Sequence, residues 1–512
     1  MKLEKLIDIA RLLKKRDFKP LNNFLHKKDT KSNIWKLYEG ILEGKYKTDS
    51  EASLDIFGEK IPGKKFRELK NNVKEQMINS IMELDISINA SDRLKATYKC
   101  EKNLFVAKML GKTGSSNASR ELYKQTYLLA KKHKITDVIL CCLKNLSTFY
   151  VFRHKKKVLY DSFKEINFYK EVYAAEIQAQ EFYHKIIYEV TNSKTLDPKS
   201  FEIVLEYSKI IEANIEKFKE YDSLELRICF FRIKSSAFEA IGDIKNALKV
   251  YEQTEKNLLN SSIIVSPQLL AELNAGQLIC LVYLQDFEKG KLIAEKIKQI
   301  LPKQTANYIS FLNHYFLLSI QSNELKNALE IIKELESHEL FKISFIQETE
   351  YFILFKSYLI IALLNSKNPF EVKKGNELRN NFNVFKAIDK LLETSKDKKG
   401  LNVSIIILRI LFYLIEGDYS KVLDKMEGLK QYNQRYLKKN EFYRTDCFIK
   451  MIMMLEKYDF DYNQLKIHSV EYVKKLSSFR IKTTKSLFNW EIIPYENLWT
   501  IILETLRKNE ES

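Results

Sequence analysis

The side chains most able to do chemistry are few and scattered. The seven histidines are His26, His133, His154, His184, His314, His338 and His468. No two lie four apart and no H-E-x-x-H occurs, so a zinc site built on one helix is not expected. The six cysteines, Cys100, Cys141, Cys142, Cys229, Cys280 and Cys447, include no C-x-x-C pair. Most stand among apolar neighbours, which predicts buried thiols and no disulfide framework. Cys141-Cys142 has no sequence sign of an activating base, as a nucleophile requires. Gly111-Lys112-Thr113 has the ending of a phosphate loop, but that loop needs glycine at 106, where this chain has Val106. No G-x-S-x-G is present. Acidic residues such as Glu330, Glu334 and Glu336 alternate with Lys333, the pattern of a solvated helix face. The expectation is a protein that is not an enzyme and carries no metal or cofactor.

The scaffold behind these residues is legible in what is scarce. The 512 residues hold 13 glycines and 7 prolines. Tight β-turns depend on both, so sandwiches, barrels and propellers are excluded and an all-α chain is expected. Residues 1–19 are charged throughout, with no apolar run of a leader, and the longest apolar stretch, Val403 to Ile415, is interrupted by Arg409. No signal peptide and no transmembrane segment is expected, which points to a cytoplasmic location.

Charge is uneven. The total is 85 basic and 67 acidic residues, net +18. Residues 1–100 carry net +7, residues 101–160 net +10, and the other 352 residues net +1. A positive field in the first third attracts polyanions. Lys131, Lys132 and Lys134 follow one expected helix, and Arg153, Lys155, Lys156 and Lys157 follow the next. Antiparallel stacking would put the two clusters at opposite ends of the pair. Tyr123, Tyr127, Phe149 and Tyr150 are interleaved, either as core or as stacking platforms for bases. A second basic run, Lys64, Lys65, Arg67, Lys70 and Lys74 with Asn71 and Asn72, has the composition of a helix-turn-helix reader.

Periodicity predicts helices over 2–16, 34–42, Thr48 to Phe57 behind a capping box, 64–86, 90–110, 118–133, 136–152, 156–190 and 198–219. From 225 the pattern repeats. Gly242-Asp243, Gln285-Asp286, Asn323-Glu324 and Gly417-Asp418 each make a turn. Ala247, Gly290, Ala328 and Val422 follow at a matching offset, and Pro302 closes the second unit. Another pair is expected at about 346–364 and 378–395, with a looser linker from Asn365 to Gly375. Beyond, Phe442 to Leu455 and Leu465 to Leu476 read as helices. Ile481 to Trp490 leans towards β composition. A last helix at 495–507 places Trp499, Ile502, Leu503 and Leu506 on one face, which with Trp490 could cover the open end of a stack.

These turns and small residues resemble the tetratricopeptide repeat, most clearly over 225–435. The resemblance implies an α-solenoid of stacked antiparallel helix pairs. The unit spacings exceed the family's 34 residues and the family's Trp is absent. The divisions expected are a basic helical region over 1–90, basic helical pairs over 91–220, repeats over 221–435 and a helical cap over 436–512. The resemblance also implies a concave groove lined by the first helix of each unit. That points to Arg232, Ser236, Glu239, Glu272, Ala275, Tyr283, Asn313 and Gln321, and in a later unit to Ser404, Ile407 and Leu411. The set of Lys, Asn and Arg that clamps a peptide carboxylate in some members is not reproduced. The function expected is a scaffold or adaptor binding a protein, a peptide or a partner helix. The alternative is a nucleic-acid-binding regulator that uses the basic first third.

Overall fold

The computed structural model describes residues 3, 6–7, 32–46, 48–83, 91–192, 198–261, 265–338, 346–394, 401–436, 443–478 and 491–511. Among them the chain is all helical, with no strand. It separates into two compact units, Met1–Ile166 and Asn167–Ser512. Most of the helix expected over 2–16, the segment Ile481 to Trp490, and Trp490 itself lie outside the described residues.

The first unit begins with α1 (Asn33–Leu42), α2 (Asp49–Phe57) and α3 (Lys64–Glu83). Thr48 caps α2, its hydroxyl accepting from Glu51 N at 3.2 Å, as the capping box predicts. Leu3, Leu6, Leu37, Ile41, Phe66, Val73 and Met77 close one core around these helices. Then come α4 (Asp92–Lys112), α5 (Ser116–Lys132), α6 (Thr136–Phe152) and α7 (Lys156–Asn192), within which the boundary falls. Helix α4 packs on α5, and α5 on α6, in sequence.

The second unit continues with α8 (Pro198–Lys217), α9 (Leu224–Ile241), α10 (Ile244–Leu259), α11 (Pro267–Leu284), α12 (Phe287–Ile300), α13 (Ala306–Gln321) and α14 (Leu325–Ser337). It goes on through α15 (Ile346–Leu364), α16 (Pro369–Asn381), α17 (Val384–Thr394), α18 (Leu401–Ile415) and α19 (Tyr419–Tyr436). The last four are α20 (Tyr443–Lys457), α21 (Tyr462–His468), α22 (Val470–Ser478) and α23 (Tyr495–Glu511). Most adjacent helices pack on each other, and the chain α11, α13, α15, α18 is also in contact at every step. Repeats and cap share one apolar core that runs from Leu224 to Leu506.

One turn recurs. Gly242, Gln285, Asn323 and Gly417 all have positive φ, at 80°, 55°, 61° and 70°. In each case the following acidic residue donates its backbone N–H to a carbonyl five residues back, as Asp243 does to Phe238 O at 2.8 Å. That is the left-handed helix cap closed by a six-to-one bond. Asp243, Asp286 and Asp418 then accept from the backbone three residues on, starting the next helix. The same closure occurs in the first unit at Gly114, Lys134 and His154. The offset residues Ala247, Gly290, Ala328 and Val422 are all buried. At Gly290 a side chain would begin 2.1 Å from Leu318 Cδ2, so glycine there permits the helix crossing.

Two expectations are corrected. The segment read as a loose linker after Asn365 instead forms α16, started by Asn368, whose side chain accepts from Phe370 N at 3.0 Å. Gly375 lets this helix close on the end of α15, where a Cβ would lie 3.0 Å from Leu364 N. The helix expected over 465–476 breaks at Ser469, where α21 ends and α22 begins.

Candidate functional site

The described residues hold no group of three or more metal-ligating side chains. Five of the six thiols are buried and Cys141 is partly so. Burial pushes the Cys100 thiol up to about 11 and those of Cys142 and Cys229 up to about 12, opposite to the direction that activates a nucleophile. No described helix is long and apolar enough to cross a membrane.

The groove positions separate into three environments. Arg232 on α9 and Glu272 on α11 pair with each other through two bonds of 2.7 and 2.8 Å, tying consecutive first helices together. The Arg232 guanidinium also lies 5.5 Å from the Tyr183 ring centroid. Ser236 is half-buried beside them. Glu239 accepts from the Tyr251 hydroxyl at 2.9 Å, and burial raises its carboxyl. Asn313 and Gln321 are buried rather than open. Gln321 Nε2 donates to Glu491 O at 2.6 Å, so the chain's own C-terminal segment covers that position. Ile407 and Leu411 are likewise core residues.

The apolar face expected on the last helix is buried at Trp499, Ile502 and Leu506, but the polar contacts that lay this segment on the repeats were missed by sequence reasoning. Thr505 on α23 donates to Asn365 Oδ1 at 3.3 Å, just past the end of α15. Asn509 donates to Leu414 O at 2.8 Å, at the end of α18. With Gln321 at the end of α13, residues 491–511 therefore lie along the turn ends of three successive first helices. The anchor is Arg444 on α20. It pairs with Glu491 at 2.6 and 2.8 Å and with Glu496 at 3.0 and 2.8 Å. Its remaining N–H also reaches Leu476 O. Glu491 in turn accepts from Tyr495 N at 3.0 Å, opening α23. Trp499 is buried, and its indole N–H donates to Ser469 Oγ at 2.9 Å, in the break between α21 and α22. No motif signals these partners, because every pair except Glu491 with Tyr495 is separated by 30 to 170 residues.

Beside this anchor is a cavity of about 540 Å³. One wall is the turn edge of the repeats, with Lys245, Tyr283 and Gln285. The other is the cap, with Arg444, Glu496 and Asn497. Of the groove residues expected from the sequence, Tyr283 is the one that reaches it. A second network staples α10, α11 and α12: Glu255 accepts from Asn274, Gln277 and Lys296 at 3.3, 2.7 and 3.3 Å.

In the first unit the two lysine clusters do lie at opposite ends of the α5–α6 pair. Arg153 donates to Asn117 at the start of α5, whereas Lys131, at its end, contacts Tyr127 and Glu165. Lys132, Arg153, Lys155, Lys156 and Lys157 are exposed and Lys134 is half-buried. Of the interleaved aromatics, Tyr123 is buried against Phe149, whereas Tyr127, Phe149 and Tyr150 are half-buried; the Tyr127 hydroxyl donates to Glu165 at 2.9 Å. In the run read as a helix-turn-helix reader, Lys70 is buried, bonded to Asp49 at 2.6 Å and 5.4 Å from the Phe66 ring centroid. It is therefore a core contact rather than a phosphate ligand.

No family model matches this chain, and neither does any curated protein or solved structure.

Proposed function

We propose that the chain is a tetratricopeptide-like α-solenoid without catalytic activity, acting as a scaffold or adaptor for a peptide or partner helix. Four left-handed turns with an acidic residue next in sequence, and a small or β-branched residue buried at the same offset, support the repeat type. The observation that carries the binding site is the 540 Å³ cavity between the repeat turns and the cap. Its walls offer two cations, an aromatic ring, two amides and a carboxylate, the mixture that meets both the backbone and the side chains of a polypeptide. The groove position at Gln321 is covered by the chain itself, so the partner binds towards α9–α11 instead.

The test places a photo-crosslinking residue at Lys245 in the full chain and identifies what it captures from cells of the source. The captured partner is then measured against Tyr283→Ala and Asn497→Lys. Loss of at least about tenfold in affinity with an unchanged unfolding midpoint supports the cavity as the site. Equal binding by both variants moves the site elsewhere.

A further inference from the structure

Four helix ends meet at one pole of the first unit: the end of α4, the start of α5, the end of α6 and the first turn of α7. Ser119 Oγ donates to Ala107 O at 2.7 Å across α4 and α5, and Arg153 to Asn117 across α6 and α5, which fixes the meeting. The two segments that feed this pole, 102–120 and 138–160, contain no aspartate or glutamate. Apolar side chains stand in solvent among its cations. Phe152 is 78% exposed, Val151 52%, Met109 48% and Val158 42%. Lys155, Lys156 and Lys157 are exposed between Phe152 and Val158.

We propose that this pole docks on the surface of a bilayer containing anionic lipid. The lysines meet the headgroups and Phe152, Val151 and Val158 enter the boundary with the acyl chains. The charge is complementary to such a surface, and the exposed apolar groups are what a phosphate backbone leaves unused. A nucleic acid would instead stack bases on outward aromatic platforms beside the cations, and among the described residues only Phe152 and Tyr160 stand exposed beside these lysines. Tyr123 and Phe149 pack on each other inside the helix stack, and the Tyr127 hydroxyl is held by Glu165. Besides these two rings, Val151, Val158 and Met109 stand exposed, aliphatic groups that enter acyl chains but have no face on which a base could stack.

The experiment is co-sedimentation of the full chain with vesicles of phosphatidylcholine alone and with 30% phosphatidylserine (roughly the anionic fraction that gives a negative surface potential). Its salt dependence and a parallel titration with a single-stranded RNA oligonucleotide complete it. Binding to the anionic vesicles and not to the neutral ones is expected. The triple change Lys155→Glu, Lys156→Glu, Lys157→Glu should lower partitioning by more than about tenfold. Phe152→Ser should lower it roughly tenfold while leaving the salt dependence unchanged. Val158→Ser serves as a second apolar variant, and circular dichroism confirms that each variant is helical. No sedimentation with anionic vesicles at low salt overturns the proposal. So does equal sedimentation by Phe152→Ser and Val158→Ser, or RNA binding without vesicle binding, which would assign the pole to nucleic acid.

Discussion

The cations of the two units live in opposite surroundings. At the pole of the first unit, Arg153, Lys155, Lys156 and Lys157 stand in solvent on segments without a carboxylate. In the cap of the second unit, Arg444 is buried and faces two carboxylates, Glu491 and Glu496. The first arrangement adds little to stability, because exposed charges remain hydrated and like charges repel. The second is committed to structure: it removes a cation from water and holds it only because two acids and a carbonyl surround it. The same residue class is therefore left in solvent in one unit and locks the terminal helix in the other. Net charge along the sequence separates neither role from the other.

Breaking the lock gives the largest expected effect. Arg444→Met leaves Glu491 buried without its partner, and loss of one member of a buried pair costs about 3–5 kcal/mol. Urea denaturation of the second unit's helical signal should show it. Because Glu491 also opens α23, the terminal helix should become the first segment to exchange its amide hydrogens. Adding Glu491→Gln should recover part of the loss, since the orphaned charge is then gone. A double variant no better than Arg444→Met would mean that the carboxylate is not what suffers.

The next effect depends on pH. Burial lowers the pKa of His314, on α13, and of His133, at the end of α5. His314 Nδ1 lies 2.7 Å from Ser310 O, and a carbonyl only accepts, so this nitrogen carries the proton of a neutral ring. A histidine whose folded pKa is depressed binds a proton more readily when unfolded. Its contribution is therefore fully present above the ordinary value near 6.5 and is lost as pH falls towards the folded pKa. His314→Asn keeps a donor for Ser310 and removes the titration. Between pH 6.5 and 5 the variant should lose stability less steeply than the parent, by up to about 1.4 kcal/mol per pH unit. Parallel stability curves would show that His314 protonates equally in both states.

The reach of the sequence can be judged from the turns. Gly242 and Gly417 announce themselves, because glycine accepts positive φ without cost. Lys134 and His154 adopt nearly the same conformation, at 54° and 50°, and carry no such signal. There the packing of flanking helices sets the turn and the residue type follows poorly. Capping at Thr48, the burial of Ala247 and Ala328, and the helix from Lys156 were all readable, because each depends on local spacing. The candidate site was readable only in part. Tyr283 reaches the cavity, but Arg444, Glu491 and Trp499 depend on partners far away in sequence. Gln321 looked like an open groove position because nothing local says that residue 491 returns to cover it.

The smallest expected effect tests the other half of the comparison. Replacing Lys155, Lys156 and Lys157 together with glutamate reverses three exposed charges at the start of α7. Exposed substitutions away from packed features change stability by no more than about 0.5 kcal/mol each. Here the sign should be favourable. Acidic residues suit the first turn of a helix, and each removed lysine relieves repulsion among Lys112, Arg120 and Arg153. The unfolding midpoint should therefore stay level or rise slightly, even as vesicle binding falls. A clear loss of stability would mean that these lysines hold the α6–α7 turn together, and the contrast with Arg444 would then be one of degree.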